Sequence, residues 1–106
     1  MCKPIVISQK GEISVTQCVN CKVISIWKKG MLLNFSFDQF HAFLKVTSEL
    51  VFDDYLEYAP DGTEIVILAT PHPDISLLFT KPEWHDFFGA LHEAAYMQKV
   101  YELVHS

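Results

Sequence analysis

Residues 12–17, Glu-Ile-Ser-Val-Thr-Gln, alternate polar and apolar side chains, and residues 22–27, Lys-Val-Ile-Ser-Ile-Trp, are rich in β-branched and aromatic types. Both patterns predict strands. Two residues separate Cys18 from Cys21, and Asn20 accepts the positive φ that a two-residue hairpin needs. That turn sets Cys18 opposite Cys21, Thr16 opposite Val23, Val15 opposite Ile24 and Ile13 opposite Ile26. An earlier hairpin, from Pro4-Ile5-Val6-Ile7 to Glu12, closes as a three-residue loop with Gly11 in the left-handed position. It sets Ser8 opposite Glu12, Ile7 opposite Ile13, Ile5 opposite Val15 and Cys2 opposite Cys18. The two registers agree on one buried face of Ile5, Ile7, Ile13, Val15, Ile24 and Ile26, because a one-residue slip would scatter them. A third hairpin at Lys29-Gly30 adds Leu33 and Phe35 to that face. It places Trp27 beside Leu32 on the other face and carries the first helix toward Cys21.

Ser36-Phe37-Asp38-Gln39 is a capping box, and Phe40, Phe43, Leu44 and Val51 follow at helical spacing, which predicts a helix ending around residues 49–52. A short strand is expected over Tyr55–Ala59, before the turn residues Pro60-Asp61-Gly62. Thr63–Ala69 is a strand, Pro71–Asp74 a loop, and Ile75–Phe79 another strand. Thr80-Lys81-Pro82-Glu83 is a second capping box, opening a helix over about 81–103.

The stretch Leu33–Phe43 matches Leu77–Phe87 position for position: an apolar strand end, a cap, an aromatic, a histidine and a phenylalanine. The expected fold is therefore α+β, with antiparallel sheets from two related meander-then-helix units over about 12–50 and 54–104, six to seven strands and two helices in one domain, 1–106. The order of elements resembles the duplicated four-strand-and-helix units of Whirly- and PUR-type nucleic-acid binders. That likeness is topological, and charge opposes its function: a net −5 does not suit nucleic acid or an anionic membrane. Half the 106 residues are hydrophobic, enough for one real core. No window approaches the eighteen apolar residues of a membrane span, and no basic-then-apolar leader opens the chain, so a cytoplasmic protein is expected.

The last helix is apolar around most of its circumference, from Trp84, Phe87, Phe88 and Leu91 to Met97, Val100, Tyr101, Leu103 and Val104. Such a helix is buried on two sides, the second being either a partner subunit or the sheet end of its own chain. Its end (Val100, Tyr101, Val104) and the outer sheet residues Trp27 and Leu32 are the candidate interface, for a second copy or a protein partner.

Three thiols brought to one sheet surface suit a soft metal. Structural zinc takes four ligands, commonly three cysteines and a histidine. Cys2, Cys18, Cys21 and His41 are the candidate set, although the matched stretch puts His85 at the equivalent place with no cysteine nearby. The competing readings are a disulfide or exchange pair of Cys18 and Cys21, and three reduced cysteines packed as small apolar side chains. A hairpin turn lacks the helix dipole that activates exchange thiols. His85-Asp86 and His92-Glu93 share one helix face but stand about 10 Å apart, too far for one ion without further ligands. No phosphate loop or nucleophile–base arrangement accompanies Asp53-Asp54. A small-molecule pocket between helix and sheet is a third possibility, with no residue to carry it.

Met1-Cys2, Gly11-Glu12-Ile13-Ser14 leading to Cys18 and Cys21, and Leu32-Leu33-Asn34-Phe35-Ser36 with Phe40 resemble a short bacterial family of unknown function. The resemblance covers nearly the full chain and implies no activity or ligand. The reading that follows is a small non-enzymatic domain without a cofactor that self-associates or binds a protein, the alternative being a zinc or thiol site at Cys2, Cys18 and Cys21.

Overall fold

The computed structural model describes residues 4–70 and 74–105. Four strands, β1 (Ile5–Lys10), β2 (Ile13–Cys18), β3 (Val23–Lys28) and β4 (Met31–Ser36), lead into helix α1 (Phe37–Thr47). A single 3-10 turn (Phe52–Tyr55) precedes β5 (Glu57–Tyr58), β6 (Glu64–Ala69), β7 (Ser76–Phe79) and helix α2 (Lys81–His105). The strands make two antiparallel sheets, ordered β1-β2-β3-β4 and β5-β6-β7. The described residues thus form an α+β fold of seven strands and two helices.

The buried face is the one expected: Ile7, Ile13, Val15, Ile24, Ile26, Leu33 and Phe35 are buried, and Ile5 packs partly against them. The registers that produce it differ from expectation. The first turn is Gly11-Glu12, closing Lys10 on Ile13, with φ of +56° at Gly11. Glycine at the first central position suits a two-residue hairpin. A bulge between Val6 and Ser8 then shifts the pairing, so that Ser8 faces Val15 and Ile5 faces Gln17. The bulge buries the consecutive residues Ile7 and Ser8, and the Ser8 hydroxyl finds no partner there. The second turn takes four residues, Val19–Lys22, with Lys22 at φ +54°, and pairs Cys18 with Val23 and Val15 with Ile26. This is a slip of two from the expected pairing, which leaves every side chain on its expected face. The third hairpin sets Trp27 opposite Leu32, as expected. The expected pairing of Cys2 falls outside the described residues.

The first helix start is held by the full capping box its sequence indicates, and the second makes one half of its box. The Gln39 amide donates to Ser36 Oγ (3.1 Å) and the Ser36 amide to Gln39 Oε1 (3.0 Å). Helix α1 stops at Thr47, short of the expected 49–52. There the Thr47 hydroxyl donates back to the Phe43 carbonyl (2.7 Å) and the Ser48 hydroxyl to the Lys45 carbonyl (2.9 Å), satisfying final-turn acceptors. The expected strand at Tyr55–Ala59 shrinks to Glu57–Tyr58, because the preceding turn coils to bury Phe52 edge-on against Trp84 (5.9 Å).

At the start of α2 the Thr80 amide and hydroxyl both donate to Glu83 Oε1 (2.9 and 3.0 Å). The amide bond holds the Glu83 carboxyl below its usual range; burial opposes this, while the Thr80 hydroxyl and Lys28 add to it. A lowered folded-state pKa contributes stability above the ordinary glutamate range, lost as pH falls through the lowered value. Glu83→Gln keeps the acceptor but not the charge. It should be the less stable protein at neutral pH and converge with the parent as pH falls through the lowered value, as read by urea unfolding across pH.

One hydrophobic cluster draws on both sheets and both helices, with α2 packed on β1, β2 and β7. At the close approach to β1, a Cβ on Gly89 would stand 3.0 Å from Lys10 Cδ. Lys10 reaches on to pair with Glu93 (3.4 Å), and a Cβ at Gly11 would overlap the Asp86 carboxylate. The acids of the two His-acid pairs thus seat the first hairpin on the helix.

Candidate functional site

The turn after β2, the start of α1 and the last turns of α2 enclose a pocket of about 440 Å³. Gln17 and Val19 line it from the sheet end, Phe37 and His41 from α1, and Gln98 and Tyr101 from α2. Lys99 and Glu102 also line it and bring opposite charges. Its volume falls within the range of small-molecule sites.

Two of these side chains are placed against ordinary burial rules. Gln17 is 3 % exposed and Gln98 is 8 % exposed, and the Oε1 atom of each is buried with no hydrogen-bond partner. A buried polar atom left unpaired costs about 1–3 kcal/mol, and leucine would fill similar space without that cost. Both positions carry a signal in the sequence. Gln17 continues the inward phase of Ile13 and Val15, and Gln98 continues the buried stripe of Leu91 and Ala94 at helical spacing. A polar residue on the buried phase of two facing elements was the available signal.

The candidate metal residues are only partly brought together. His41 and Val19, from the Cys18–Cys21 turn, line the same pocket. Cys18 and Cys21 are each in disulfide linkage, as the redox reading has it, so the reading of them as reduced thiols is corrected, although Cys18 is buried. Metal binding needs thiolates, so a zinc site here requires the reduced form. Among the described residues, no three His, Cys, Asp or Glu side chains gather closely enough to hold a metal ion; Cys2 lies outside them. Without reductant, neither Cys18 nor Cys21 should react with a thiol reagent, and peptide mapping after reduction and alkylation should recover both. A reducing cytosol would open the linkage, so the cytoplasmic expectation and the oxidised pair pull in opposite directions.

The candidate interface residues fall on two separate surfaces. Trp27 and Leu32 stand on the face of the four-stranded sheet turned away from the core. Val100 and Tyr101 are half-buried at the end of α2, and Val104 is exposed beyond them. Among the described residues, no helix is long and apolar enough to cross a membrane. No family model matches the chain, and no curated protein or solved structure is found similar to it.

Proposed function

We propose that the chain is a small non-enzymatic domain that self-associates through the outer face of its four-stranded sheet, a face equally suited to a protein partner. The observation that carries this reading is the group of Val6, Trp27 and Leu32, 63 %, 46 % and 44 % exposed, on the side that neither helix covers. The face is also ordered in advance. Trp27 Nε1 donates to Thr16 Oγ1 (3.1 Å), and Ser25 Oγ donates to Asn34 Oδ1 (2.7 Å) beside it. A tethered tryptophan loses little freedom on contact, which favours it as an anchor. Beyond the β4 edge the apolar surface resumes with Ile75, which shares a groove with Met31 and Leu32, and with the exposed cross-strand pair Ile67 and Leu78. Light scattering of the parent and of a Trp27→Ser, Leu32→Ser variant tests the reading.

A further inference from the structure

The order β1-β2-β3-β4 gives the sheet two edge strands, and the two differ. β1 carries a bulge, and α2 packs against it. β4 has no charge, proline or bulge over Met31–Ser36. A regular, uncharged edge is a template for pairing with another chain. We propose that the edge of β4 accepts, as an added antiparallel strand, an uncharged extended segment of about five residues from a partner protein. The site is the main-chain edge of the sheet, so it goes beyond the reading of the outer face.

The free groups follow from the hairpin. The two-residue loop Lys29-Gly30 makes its flanking residues, Lys28 and Met31, a hydrogen-bonded pair. Bonded and non-bonded pairs alternate from there. Leu33 and Phe35 therefore bond to Ile26 and Ile24, while the amides and carbonyls of Leu32 and Asn34 turn away from β3. Ser36, next in that phase, shows the direction, since its amide donates outward to Gln39 Oε1 (3.0 Å). Among the described residues, no backbone group partners Leu32 or Asn34 on that side. Their donors and acceptors, two residues apart, are the set that an extended strand complements. A groove of about 530 Å³ follows them, lined by Met31 to Phe35, Gln39 and Ile75. Its lining carries no formal charge, and a charged segment would lose hydration there without a partner. Met31–Phe35 is about 17 Å long, the span of five extended residues. Residues set opposite Met31, Leu33 and Phe35 face the core side and should be apolar. Those set opposite Leu32 and Asn34 face outward. Ile75 shares the groove, which suits a lone strand; the β4 of a second copy brings its own β3 behind it.

The probe is the blocked peptide acetyl-Val-Thr-Val-Thr-Val-amide, and the readout is amide hydrogen exchange of the oxidised full chain by nitrogen–proton NMR. In the free protein the Leu32 and Asn34 amides should exchange about tenfold or more faster than those of Leu33 and Phe35, which are bonded to β3. The peptide should bind with a dissociation constant on the order of 1 mM, as suits so short a segment. At about 5 mM it should slow exchange at Leu32 and Asn34 about fivefold. N-methylation of both threonine amides, which point at β4, should weaken binding about tenfold or more. N-methylation of the central valine amide, which points away from β4, should leave binding unchanged. Association through Trp27 and Leu32 on the outer face leaves the two edge amides exchangeable, so failure of either reading is told from failure of the other. The proposal is overturned if the peptide leaves exchange at Leu32 and Asn34 unchanged, or if the two methylated peptides bind alike. Protection of the two amides that rises with the protein's own concentration, without peptide, would also overturn it, since it would give the edge to a second copy.

Discussion

Phe79→Ala should destabilise the domain by about 4 kcal/mol and lower its melting temperature by about 20 °C, the largest single-residue effect expected in this chain. Phe79 ends β7, is fully buried, and sits at the centre of an aromatic cluster. Its ring centroid lies 4.7 Å from Phe87, 5.7 Å from Trp84 and 6.2 Å from Phe88. Lys28 Nζ stands over the same ring at 5.7 Å, tying the four-stranded sheet to the second sheet. Truncation removes the buried transfer energy, leaves a cavity and breaks several ring contacts together. A small domain holds about 5–15 kcal/mol in all, so the loss takes a large share of it. The neighbouring residue Leu78 points the opposite way along the pleat and is exposed. Leu78→Ala should cost under about 1 kcal/mol in the monomer. Urea unfolding of the two variants side by side checks both figures; similar losses would mean that β7 faces the core differently.

Faces were legible in the sequence where registers were not, and the strands show why. Burial follows a period of two, so Ile13, Val15, Ile24 and Ile26 could be assigned inward from alternation alone. Register depends on the turn, and turn residues are degenerate. Gly11 suits either a three-residue loop or the two-residue turn it adopts, and Cys18-Val19-Asn20-Cys21 conceals a four-residue turn whose left-handed residue is Lys22. The slip of two in the second hairpin preserved every face. In the first hairpin, the bulge at Ile7 reconciled Ile5 and Ile7 with a pairing that alternation could not supply. Caps were legible because they are local: Ser36 and Gln39 make both bonds their spacing implies, and Thr80 and Glu83 make one of the two.

The candidate site was legible by place more than by chemistry. The turn at residues 18–21 and the start of α1 do meet, and His41 is there. What sequence reasoning passed over was the pair of buried glutamines. Each looks ordinary in its own element, and only the packing of α2 against the end of β2 puts both in one cavity. The state of Cys18 and Cys21 could not be read either, because a Cys-x-x-Cys turn serves metal, disulfide or packing equally well until the geometry is known.

The self-association reading makes a prediction as large as the core substitution, on assembly instead of stability. Interface energy concentrates in a few anchors, tryptophan foremost, and truncating one typically costs 2 kcal/mol or more. Trp27 and Leu32 lie directly opposite each other on adjacent strands, so together they form one anchor point. Replacing both by serine should weaken the assembly by about a hundredfold or more. Both side chains are substantially exposed in the single chain, so the melting temperature of the monomer should change little.

The most direct measurement is light scattering on a sizing column, with the oxidised parent loaded at about 100 µM, well above the dissociation constant of a micromolar dimer. The account predicts twice the 12.2 kDa chain mass for the parent and a single chain mass for the Trp27→Ser, Leu32→Ser variant. A parent that elutes as a single chain at that concentration, or a double variant that remains dimeric, would contradict it.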